Sequence, residues 1–574
     1  MAQQQPNVIL VITDDQGYGD LACHGNPVIQ TPHLDQMRSE SVRLDNFHVG
    51  PTCAPTRAGL MTGRYCNSAG VWHTIAGRSL LRSDETTIAD CFQAAGYRTG
   101  MFGKWHLGDN YPFRPHDRGF QETVYHGGGG VGQTPDYWGN DYFDDTYFNR
   151  GEPVKQEGYC TDVWFDLALQ FIEKNRDDPF LCYLSTNAPH GPFRVPDSYS
   201  RPYREHVPQT RANFYGMIAN IDENFGRLRR ELRRMEIDQN TILIFMTDNG
   251  TAAGVQLDRS GYLVNGFNAG MRGQKGSEYE GGHRVPFFLH WPDGGLNEGR
   301  SVHRLTANID ALPTLADMCG VNLPDHLHGQ SVKPLLYGEE DGWQDRILVT
   351  DSQRVETPIK WRKSAVMTDR WRLINGKELY DIQEDPEQRN DIADAHPDKM
   401  ERLRNAYEEW WETVSERFDD DPAVVIGTEN EPLADLTTHD WHNEQSACAW
   451  NQGMIRNGVR CNGYWRIEAS KAGRYRFELR RWPMEEDRAV AEGIPGETIS
   501  WYTGGKALPI CSARIRVGGE EQNAEVAPTD KGAAFEFDLP AGPADLQTWL
   551  IDDEGEALGA YYVYAQLLDE GGGS

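Results

Sequence analysis

Four short apolar runs that stop abruptly at polar residues constrain the fold more than any other feature of this sequence. Each run has the length of one buried strand, and each is followed within three residues by an acidic, amide or lysine side chain; the runs are residues 8–12, 98–102, 180–184 and 241–246. Buried parallel strands have this composition, and their carboxyl ends open together onto one crevice. The pattern therefore predicts a layered domain with a site at one edge of its sheet.

The segments between these runs have helical spacing. Residues 86–95 carry apolar side chains at helical intervals and stop at Gly96, while residues 213–235 place apolar side chains on one face and Arg and Glu on the other. Alternation of strands and helices predicts an α/β fold.

The pattern changes along the chain, which predicts three folded parts and one linker. Residues 1–342 form the α/β domain, residues 343–416 form a small α+β subdomain with one amphipathic helix, and residues 417–444 form an acidic, Pro-containing linker. Residues 445–574 alternate with period two between Gly and Pro turns, which predicts an accessory β-sandwich.

The accessory sandwich is expected to pack on the catalytic domain and to shape access for a bulky substrate without supplying chemistry. Four of its tryptophans, Trp450, Trp465, Trp482 and Trp501, are compatible with sugar-stacking platforms, although aromatic residues of a sandwich more often belong to its core.

Composition excludes several classes of partner. The formal net charge of −31 repels polyanions at long range, so we expect no nucleic acid partner, and no apolar run is long enough to span a membrane. Against this acidic background, a local cluster of Lys, Arg and His indicates contact with an anionic group. The ten cysteines show neither the regular spacing of a disulfide framework nor paired CxxC motifs for zinc.

The first residues, MAQQQPNVIL, enter a strand almost directly and lack the features of a signal peptide. The protein is expected to be periplasmic or secreted if a signal peptide has been removed, and cytoplasmic otherwise.

Carboxylates and one amide follow two of the predicted strands. Asp14 and Asp15 come after the first run, and Asp248 and Asn249 come after the fourth. Oxygen ligands of this kind suit a hard divalent cation, and they fit calcium or magnesium better than zinc. Each Asp taken alone is equally compatible with a helix cap, but two such pairs after two core strands favour a metal site.

The stretch FHVGPTCAPTRAGLMTGRY, residues 47–65, contains the most specific motif in the chain. Cys53 to Arg57, with the downstream Thr62-Gly63-Arg64, resembles the signature of type I sulfatases, in which a dedicated formylglycine-generating enzyme oxidises the cysteine to formylglycine. Thr56 stands where many relatives have Ser, and either residue supplies a hydroxyl at that position.

The resemblance continues in family order over most of residues 6–414. It implies the fold of the alkaline phosphatase superfamily, a mixed sheet flanked by helices, and the chain is similar to bacterial glycan sulfatases. By resemblance Asp14, Asp15, Asp248, Asn249 and residue 53 surround Ca²⁺, with Mg²⁺ as the less favoured ion. The residues implied to hold the aldehyde hydrate and the sulfate are Arg57, Lys104, His106, His190 and Lys275.

Sulfatase chemistry is consistent with these residue types. Cleavage of a sulfate ester moves charge onto the leaving oxygen, and a preorganised set of cations lowers that barrier. A hydrated aldehyde offers two hydroxyls on one carbon, one to attack sulfur and one to expel sulfate afterwards. In this scheme His190 is the acid for the departing alcohol, His106 is the base, and Lys104 and Lys275 neutralise the sulfate oxygens.

Other functions remain compatible with the sequence. Relatives that use the same aldehyde and metal hydrolyse phosphonate monoesters or phosphodiesters, and a degenerate carbohydrate-binding protein would have lost Cys53 or a metal carboxylate. We expect a sulfated carbohydrate as substrate. The glycine-rich residues 126–142 are compatible with either a sugar-binding or a purely structural loop, and residues 70–80, with Trp72, His73 and Arg78, are expected to form a pocket wall.

Overall fold

A large mixed sheet lies at the centre of the first part of the chain. The computed structural model describes residues 5–568. Ten strands form this sheet in the order β13-β2-β12-β9-β1-β8-β4-β5-β6-β7, while β3 pairs with β14 and β10 pairs with β11. The strands are β1 Asn7–Thr13, β2 Val42–Leu44, β3 Phe47–His48, β4 Arg98–Lys104, β5 Glu122–His126, β6 Thr146–Asn149, β7 Glu152–Lys155, β8 Phe180–Ser185, β9 Thr241–Thr247, β10 Val255–Leu257, β11 Leu263–Gly266, β12 Phe287–His290, β13 Ser301–Val302 and β14 Thr306–Ala307.

Helices cover both faces of this sheet. The side chains of β1 alternate between two apolar cores, so Val8 and Leu10 contribute to one and Ile9 and Val11 to the other. Helices α2, α3 and α8 supply the first core, and α1, α4 and α6 supply the second. The α helices are α1 Pro32–Glu40, α2 Cys53–Thr62, α3 Ile88–Ala94, α4 Cys160–Lys174, α5 Asp197–Ser200, α6 Gln209–Arg234, α7 Glu280–His283, α8 Ala311–Cys319, α9 Lys333–Leu336, α10 Pro397–Ser415 and α11 Gln452–Asn457.

The predicted α/β fold is confirmed, and its register aligns the strand ends. Strand β1 lies between β8 and β9 and is parallel to both, with Thr13 opposite Thr247 and Ile12 opposite Ser185. Strand β4 is parallel to β8, with Gly103 opposite Ser185. The residues that follow these four strands therefore meet at one edge of the sheet.

A second, four-stranded antiparallel sheet follows and carries helix α10 on one face. Its strands are β15 Leu348–Asp351, β16 Ser364–Met367, β17 Trp371–Ile374 and β18 Glu378–Asp381. Val366 and Leu373 pack against Leu403 and Tyr407 of α10. The other face packs against the residues around β14. This arrangement matches the small α+β unit that the sequence predicts.

Two further sheets share one apolar core in the C-terminal region. They have the orders β19-β21-β26-β23-β24, with β27 on β26, and β20-β28-β22-β25. Their strands are β19 Val424–Ile426, β20 Leu433–Thr437, β21 Tyr464–Ala469, β22 Gly473–Arg480, β23 Ile510–Val517, β24 Glu520–Glu525, β25 Ala533–Leu539, β26 Gly542–Asp552, β27 Ala557–Leu558 and β28 Tyr562–Leu568.

The linker predicted over 417–444 differs from the structure, because two of its segments pair as strands. β19 pairs with β21, and β20 pairs with β28. The prediction rested on acidic and proline residues, whereas the short apolar segments between them are buried in the shared core. That core also includes Leu80, Phe113 and Trp138 of the first part of the chain. The domain limits at 342, 416 and 444 remain predictions.

No helix within residues 5–568 combines the length and the apolar composition needed to cross a membrane.

Candidate active site

The ends of β1 and β9 bring four buried polar side chains together. Asp14, Asp15, Asp248 and Asn249 are all buried. The backbone N–H of Asp15 donates to Asp248 Oδ1 at 3.0 Å, and Asn249 Nδ2 donates to Asp15 Oδ1 at 2.9 Å. Asp15 holds φ at 65°, a conformation that most L residues avoid. These bonds fix the turn after β1 against the turn after β9.

Cys53 begins helix α2 directly beside these carboxylates. Ligand atoms of Asp14, Cys53 and Asp248 all lie within 4.8 Å of one another. The Thr56 hydroxyl lies within hydrogen-bond distance of Gly50 O at 2.9 Å and of Asp248 O at 2.6 Å, so it ties the first turn of the helix to the strand end. Thr56 thus supplies the hydroxyl expected at that position.

Three cations pair with the three carboxylates. Lys104 Nζ lies 2.5 Å from Asp14 Oδ2, Arg57 Nη2 lies 2.8 Å from Asp248 Oδ2, and Lys275 Nζ lies 2.6 Å from Asp15 Oδ1. Arg57 Nη1 also donates to Ser185 Oγ at the end of β8. Sequence reasoning missed Ser185, although it ends one of the four apolar runs.

Burial and these neighbours shift the pKa values of the carboxyl groups in opposite directions. Burial, helped by the neighbouring charge of Asp14 and opposed by Arg57, raises the pKa of Asp248 to about 7. Burial also raises the pKa of Asp15, but Lys275, His190 and Lys104 outweigh it and hold that pKa well below its ordinary value. Three buried carboxyl groups this close together can all be ionised only where nearby cations offset their mutual repulsion.

The donor set fits a divalent cation such as calcium. Asp14 Oδ1 and Asn249 Oδ1 are buried and have no hydrogen-bond partner within the part of the chain that the structure describes. An unpaired buried oxygen costs about 1–3 kcal/mol, which a bound cation would recover. Carboxylate and amide oxygens are the ligands that calcium and magnesium prefer.

A second buried group, His48, Glu280 and His283, also has ligand atoms within 4.8 Å of one another. Here Glu280 Oε1 pairs with Arg372 Nε at 2.6 Å, and the two histidines hydrogen-bond through their Nδ1 atoms at 2.9 Å. The buried guanidinium already supplies the positive charge, which disfavours a metal ion at this position.

Backbone carbonyls fix the tautomers of the two predicted catalytic histidines. His106 Nε2 donates to Thr74 O at 2.8 Å, and His190 Nδ1 donates to Gly191 O at 2.6 Å. The lone pair of the neutral ring therefore lies on Nδ1 of His106 and on Nε2 of His190, the latter 3.7 Å from Asp15 Oδ2.

Burial lowers the pKa values of both histidines. Burial lowers the pKa of His190 to about 3, with Lys275 adding to the shift, and burial together with Lys104 lowers the pKa of His106 well below its ordinary value.

The glycine-rich loop packs against these histidines. A Cβ on Gly129 would lie 2.3 Å from His106 Cε1, and one on Gly130 would lie 3.4 Å from His190 Nδ1. Gly127 likewise approaches Pro135 O, at 2.1 Å from an added Cβ. The structural interpretation of residues 127–130 is therefore the better supported of the two, and close packing explains the glycines.

A cavity of about 440 Å³ opens above Cys53. It joins predicted site residues to residues from distant parts of the chain; its lining consists of Asp15, Cys53, His73, Thr74, Ile75, His106, Gln133, His190, Ala252, Lys275, Arg354 and Trp450. Of the pocket wall predicted within 70–80, residues 73–75 line the cavity, whereas Trp72 and Arg78 are not part of its lining. Arg57 and Lys104 do not line the cavity, because their side chains are buried at 1% and 0% exposure. Sequence reasoning missed Gln133 as an individual contact and Arg354 altogether.

The C-terminal region builds part of this cavity. Trp450 lines it, and Trp501 packs edge-on against Trp450 with ring centroids 5.2 Å apart. Trp465 and Trp482 are instead core residues of the two sheets. The glycine-rich loop docks on this region, since the Thr134 N–H donates to Trp450 O at 3.0 Å.

Two family models match the chain. The model described as Sulfatase matches residues 6–321, and the model described as N-sulphoglucosamine sulphohydrolase, C-terminal, matches residues 274–415. The first covers more than half of the chain, and it includes every predicted site residue.

Individual relatives agree with the family models. An arylsulfatase of Hemicentrotus pulcherrimus is 30% identical over 357 residues, which are 58% of this chain and 62% of that protein. An N-acetylglucosamine-6-O-sulfatase of Bacteroides thetaiotaomicron is 23% identical over 543 residues, covering 74% of this chain and 89% of the relative. The solved structure of Ps i-CgsB in complex with k-i-k-neocarrahexaose is 26% identical, has a TM-score of 0.63, and corresponds to 72% of this chain and 99% of its own.

Proposed function

Since the chain belongs to the sulfatase family, whose members are sulfuric ester hydrolases, we propose that it hydrolyses sulfate esters of a carbohydrate. The single observation that carries this proposal is the pairing of three cations with three buried carboxylates around Cys53, in a protein whose net charge is −31. The cavity above Cys53 is large enough for a sugar ring and is lined by both polar and aromatic side chains.

Cys53 is proposed to become formylglycine. Its hydrate supplies two hydroxyls on one carbon: one attacks sulfur, loses its proton and displaces the alcohol, and loss of the proton from the other then expels sulfate and reforms the aldehyde, which water hydrates again. Cys53 exposes 2% of its surface, and burial raises the pKa of its thiol, which leaves it a poor nucleophile as a cysteine. A formylglycine-generating enzyme would need to act before the chain folds around this residue.

The proposed metal ligands are Asp14, Asp15, Asp248, Asn249 and residue 53. When bound, calcium would supply a positive charge that stabilises the negative charge developing on the sulfuryl group. Lys275 lies on the cavity wall and is proposed to bind a sulfate oxygen. Arg57 and Lys104, buried against Asp248 and Asp14, orient those carboxylates and add positive charge behind the nucleophile.

The two histidines are proposed to move protons at defined atoms. His106 donates through Nε2 to Thr74 O, which leaves Nδ1 to accept the proton from the second hydroxyl of the hydrate. His190 donates through Nδ1 to Gly191 O, so its Nε2 must take up a proton before it can act as the acid, and Asp15 Oδ2 at 3.7 Å favours that protonated ring. Nε2 then passes this proton to the departing alcohol. The roles of base and acid thus fall on different nitrogens, each fixed by the backbone.

A carbohydrate substrate is proposed because the outer wall of the cavity combines an aromatic side chain with neutral hydrogen-bonding groups. Trp450 offers a face for stacking, and Gln133 and His73 offer hydrogen bonds to hydroxyls. Two relatives with carbohydrate substrates or ligands in their names support the same class. The C-terminal region is proposed to set access for this substrate without supplying chemistry.

The test is sulfate release from an aryl sulfate and from a panel of sulfated mono- and oligosaccharides, with an aryl phosphonate monoester assayed beside them. We expect active protein to carry an aldehyde in the Cys53 peptide by mass spectrometry, and Cys53→Ala to release no sulfate. Cys511→Ala, which changes an exposed cysteine of the C-terminal region, is the matched control and should keep full activity. Turnover by Cys53→Ala, or a phosphonate rate above every sulfate rate, would refute the proposal.

A further inference from the structure

Arg354 lines the same cavity as Cys53 but has no partner for its charge. It is exposed, and within residues 5–568 its guanidinium makes no hydrogen bond and has no carboxylate within 4.0 Å. Its backbone is held in place, since the Arg354 N–H donates to Trp72 O at 3.3 Å and its φ is 43°. The nearby Glu356 is already engaged by Arg78 at 2.7 Å and by His442 at 3.0 Å.

Two more cations near this wall also lack an ion-pair partner among the described residues. Arg362 donates through Nε to Gln353 O, and Lys363 donates to Gly276 O at 3.3 Å, next to Lys275 in the chain. Each contacts a carbonyl oxygen, so the positive charge is not neutralised. Of these three cations only Arg354 lines the cavity itself, while Arg362 and Lys363 contact the chain neighbours of Arg354 and Lys275. In a chain with a net charge of −31, an unpaired cation on the cavity wall indicates an anionic ligand.

The neighbouring wall presents a hydrogen-bond donor as well. His73 Nδ1 accepts the backbone N–H groups of Thr74 at 2.7 Å and of Ile75 at 3.2 Å, which leaves the proton of the neutral ring on Nε2. Lys275 and Arg354 line the cavity together, but Lys275 is engaged by Asp15 whereas Arg354 is not. The cavity therefore holds a free cation in addition to those grouped around Cys53.

We propose that Arg354 binds a second anionic group of the substrate, either a carboxylate or another sulfate ester, so that the preferred substrate is a carbohydrate with at least two negative charges. This inference rests on the proposed sulfatase function. A carboxylate and a sulfate ester each present at least two oxygens, and a guanidinium can bind two such oxygens through two parallel hydrogen bonds. Arg362 and Lys363 extend the positive field that attracts such a substrate.

The test compares Arg354→Gln with the wild type on four substrates. These are an aryl sulfate, a monosulfated neutral disaccharide, the same disaccharide with a uronate carboxylate, and the same disaccharide with a second sulfate. Arg354→Gln should lower kcat/KM by about 10- to 100-fold on the charged disaccharide that Arg354 recognises, mainly through KM. The aryl sulfate and the neutral disaccharide should change by less than about twofold. Arg354→Lys should keep part of the preference, because lysine retains the charge but not the fork.

The matched control is Arg233→Gln. Arg233 is exposed, has no ion-pair partner among the described residues, and lies near Thr241 at the amino end of β9, whereas Asp248 follows the other end of that strand. Arg233→Gln should change no rate on any of the four substrates.

The uronate and disulfate arms identify which anion Arg354 binds. An equal loss on all four substrates, or no loss on either doubly charged disaccharide, would overturn the inference while leaving the sulfatase proposal intact. Failure of the wild type to cleave any sulfate ester would refute both.

Discussion

The two ends of the cavity are built in opposite ways. At the inner end the charged side chains are buried and paired, as in Lys104 with Asp14 and Arg57 with Asp248, whose side chains expose 1% or less. At the outer end the wall consists of neutral groups such as Gln133 and Trp450, together with the exposed Arg354, which has no ion-pair partner among residues 5–568. The inner end is fixed before any ligand binds, whereas the outer end leaves the Arg354 guanidinium available, although Gln133 Oε1 already accepts from the Gly129 N–H at 2.8 Å.

From this difference we expect the inner end to carry out the reaction and the outer end to select the substrate. A preorganised set of buried charges stabilises a transition state without reorganising during the reaction, so changes there should affect every substrate alike. Groups that remain free at the outer end interact only with the substrates that reach them, so changes there should affect some substrates and spare others.

Metal removal should have the largest effect, because it leaves the carboxylates of the inner end without their proposed cation. We expect exhaustive chelation to lower kcat by at least about 10³-fold for aryl and carbohydrate substrates alike, and calcium to restore it better than magnesium. Calcium should also raise the melting temperature of the metal-free protein, since a ligand that binds only the folded state stabilises it. A metal-free sample that keeps its full rate would show that the ligand assignment is wrong.

Lys104→Met should have the next largest effect. The substitution leaves Asp14 buried without its 2.5 Å partner, and breaking such a pair costs about 3–5 kcal/mol of unfolding free energy. We expect kcat/KM to fall by about 10²–10³-fold on every substrate. Stability is measured by denaturant unfolding of metal-free protein, so that no metal ion replaces the amine.

The control for this substitution is Lys174→Met. Lys174 pairs with Glu122 at 2.8 Å, but its side chain is 65% exposed, so the loss should stay below about 1 kcal/mol. If the two variants were destabilised equally, burial would not be what distinguishes the inner end.

The inner end could be predicted from the sequence because its residues follow directly from strands. Apolar runs mark β1 and β9, parallel strands share a carboxyl edge, and Asp14 and Asp248 therefore had to approach each other. Cys53 was located by its motif alone. The sequence did not reveal that Lys104 would lie against Asp14 rather than on the cavity wall, because that depends on side-chain packing.

The outer end could not be predicted to the same degree, because its residues come from segments that only the complete fold brings together. Gln133 and Trp450 are more than 300 positions apart, yet their segments pair through the bridge between Gln133 and Asn451. The strands within 417–444 were missed for a similar reason, since their partners lie far along the chain. No local pattern distinguishes Arg354 from the other surface arginines of this chain.

Gly129→Ala tests how the outer loop supports the inner end. The added methyl would lie 2.3 Å from His106 Cε1, so the ring or the loop must move. We expect kcat to fall by about 10²-fold on aryl and carbohydrate substrates alike, because the proposed base loses its position. Gly139→Ala is the control, since it lies in the same segment and an added Cβ there meets nothing within 4 Å. Its φ of 87° adds backbone strain that Gly129 does not have, so a larger loss for Gly129→Ala reports the contact with His106. A loss confined to carbohydrate substrates would show that the loop binds sugar and does not position His106.

Trp450→Ala should have the smallest effect and should separate the substrates most clearly. Deleting the whole C-terminal region is a poor test, because Leu80, Phe113 and Trp138 pack in its core and would be exposed. Trp450 lines the cavity and can be removed singly. Loss of one stacking face should lower kcat/KM on a sulfated oligosaccharide by about 3- to 10-fold and leave an aryl sulfate within about twofold.

Trp549→Ala, which removes a half-buried tryptophan that stacks on Arg514, controls for general weakening of the same region and should change neither rate. Equal losses on both substrates would mean that Trp450 supports the inner end instead of selecting the substrate, and the division between the two ends would have to be withdrawn.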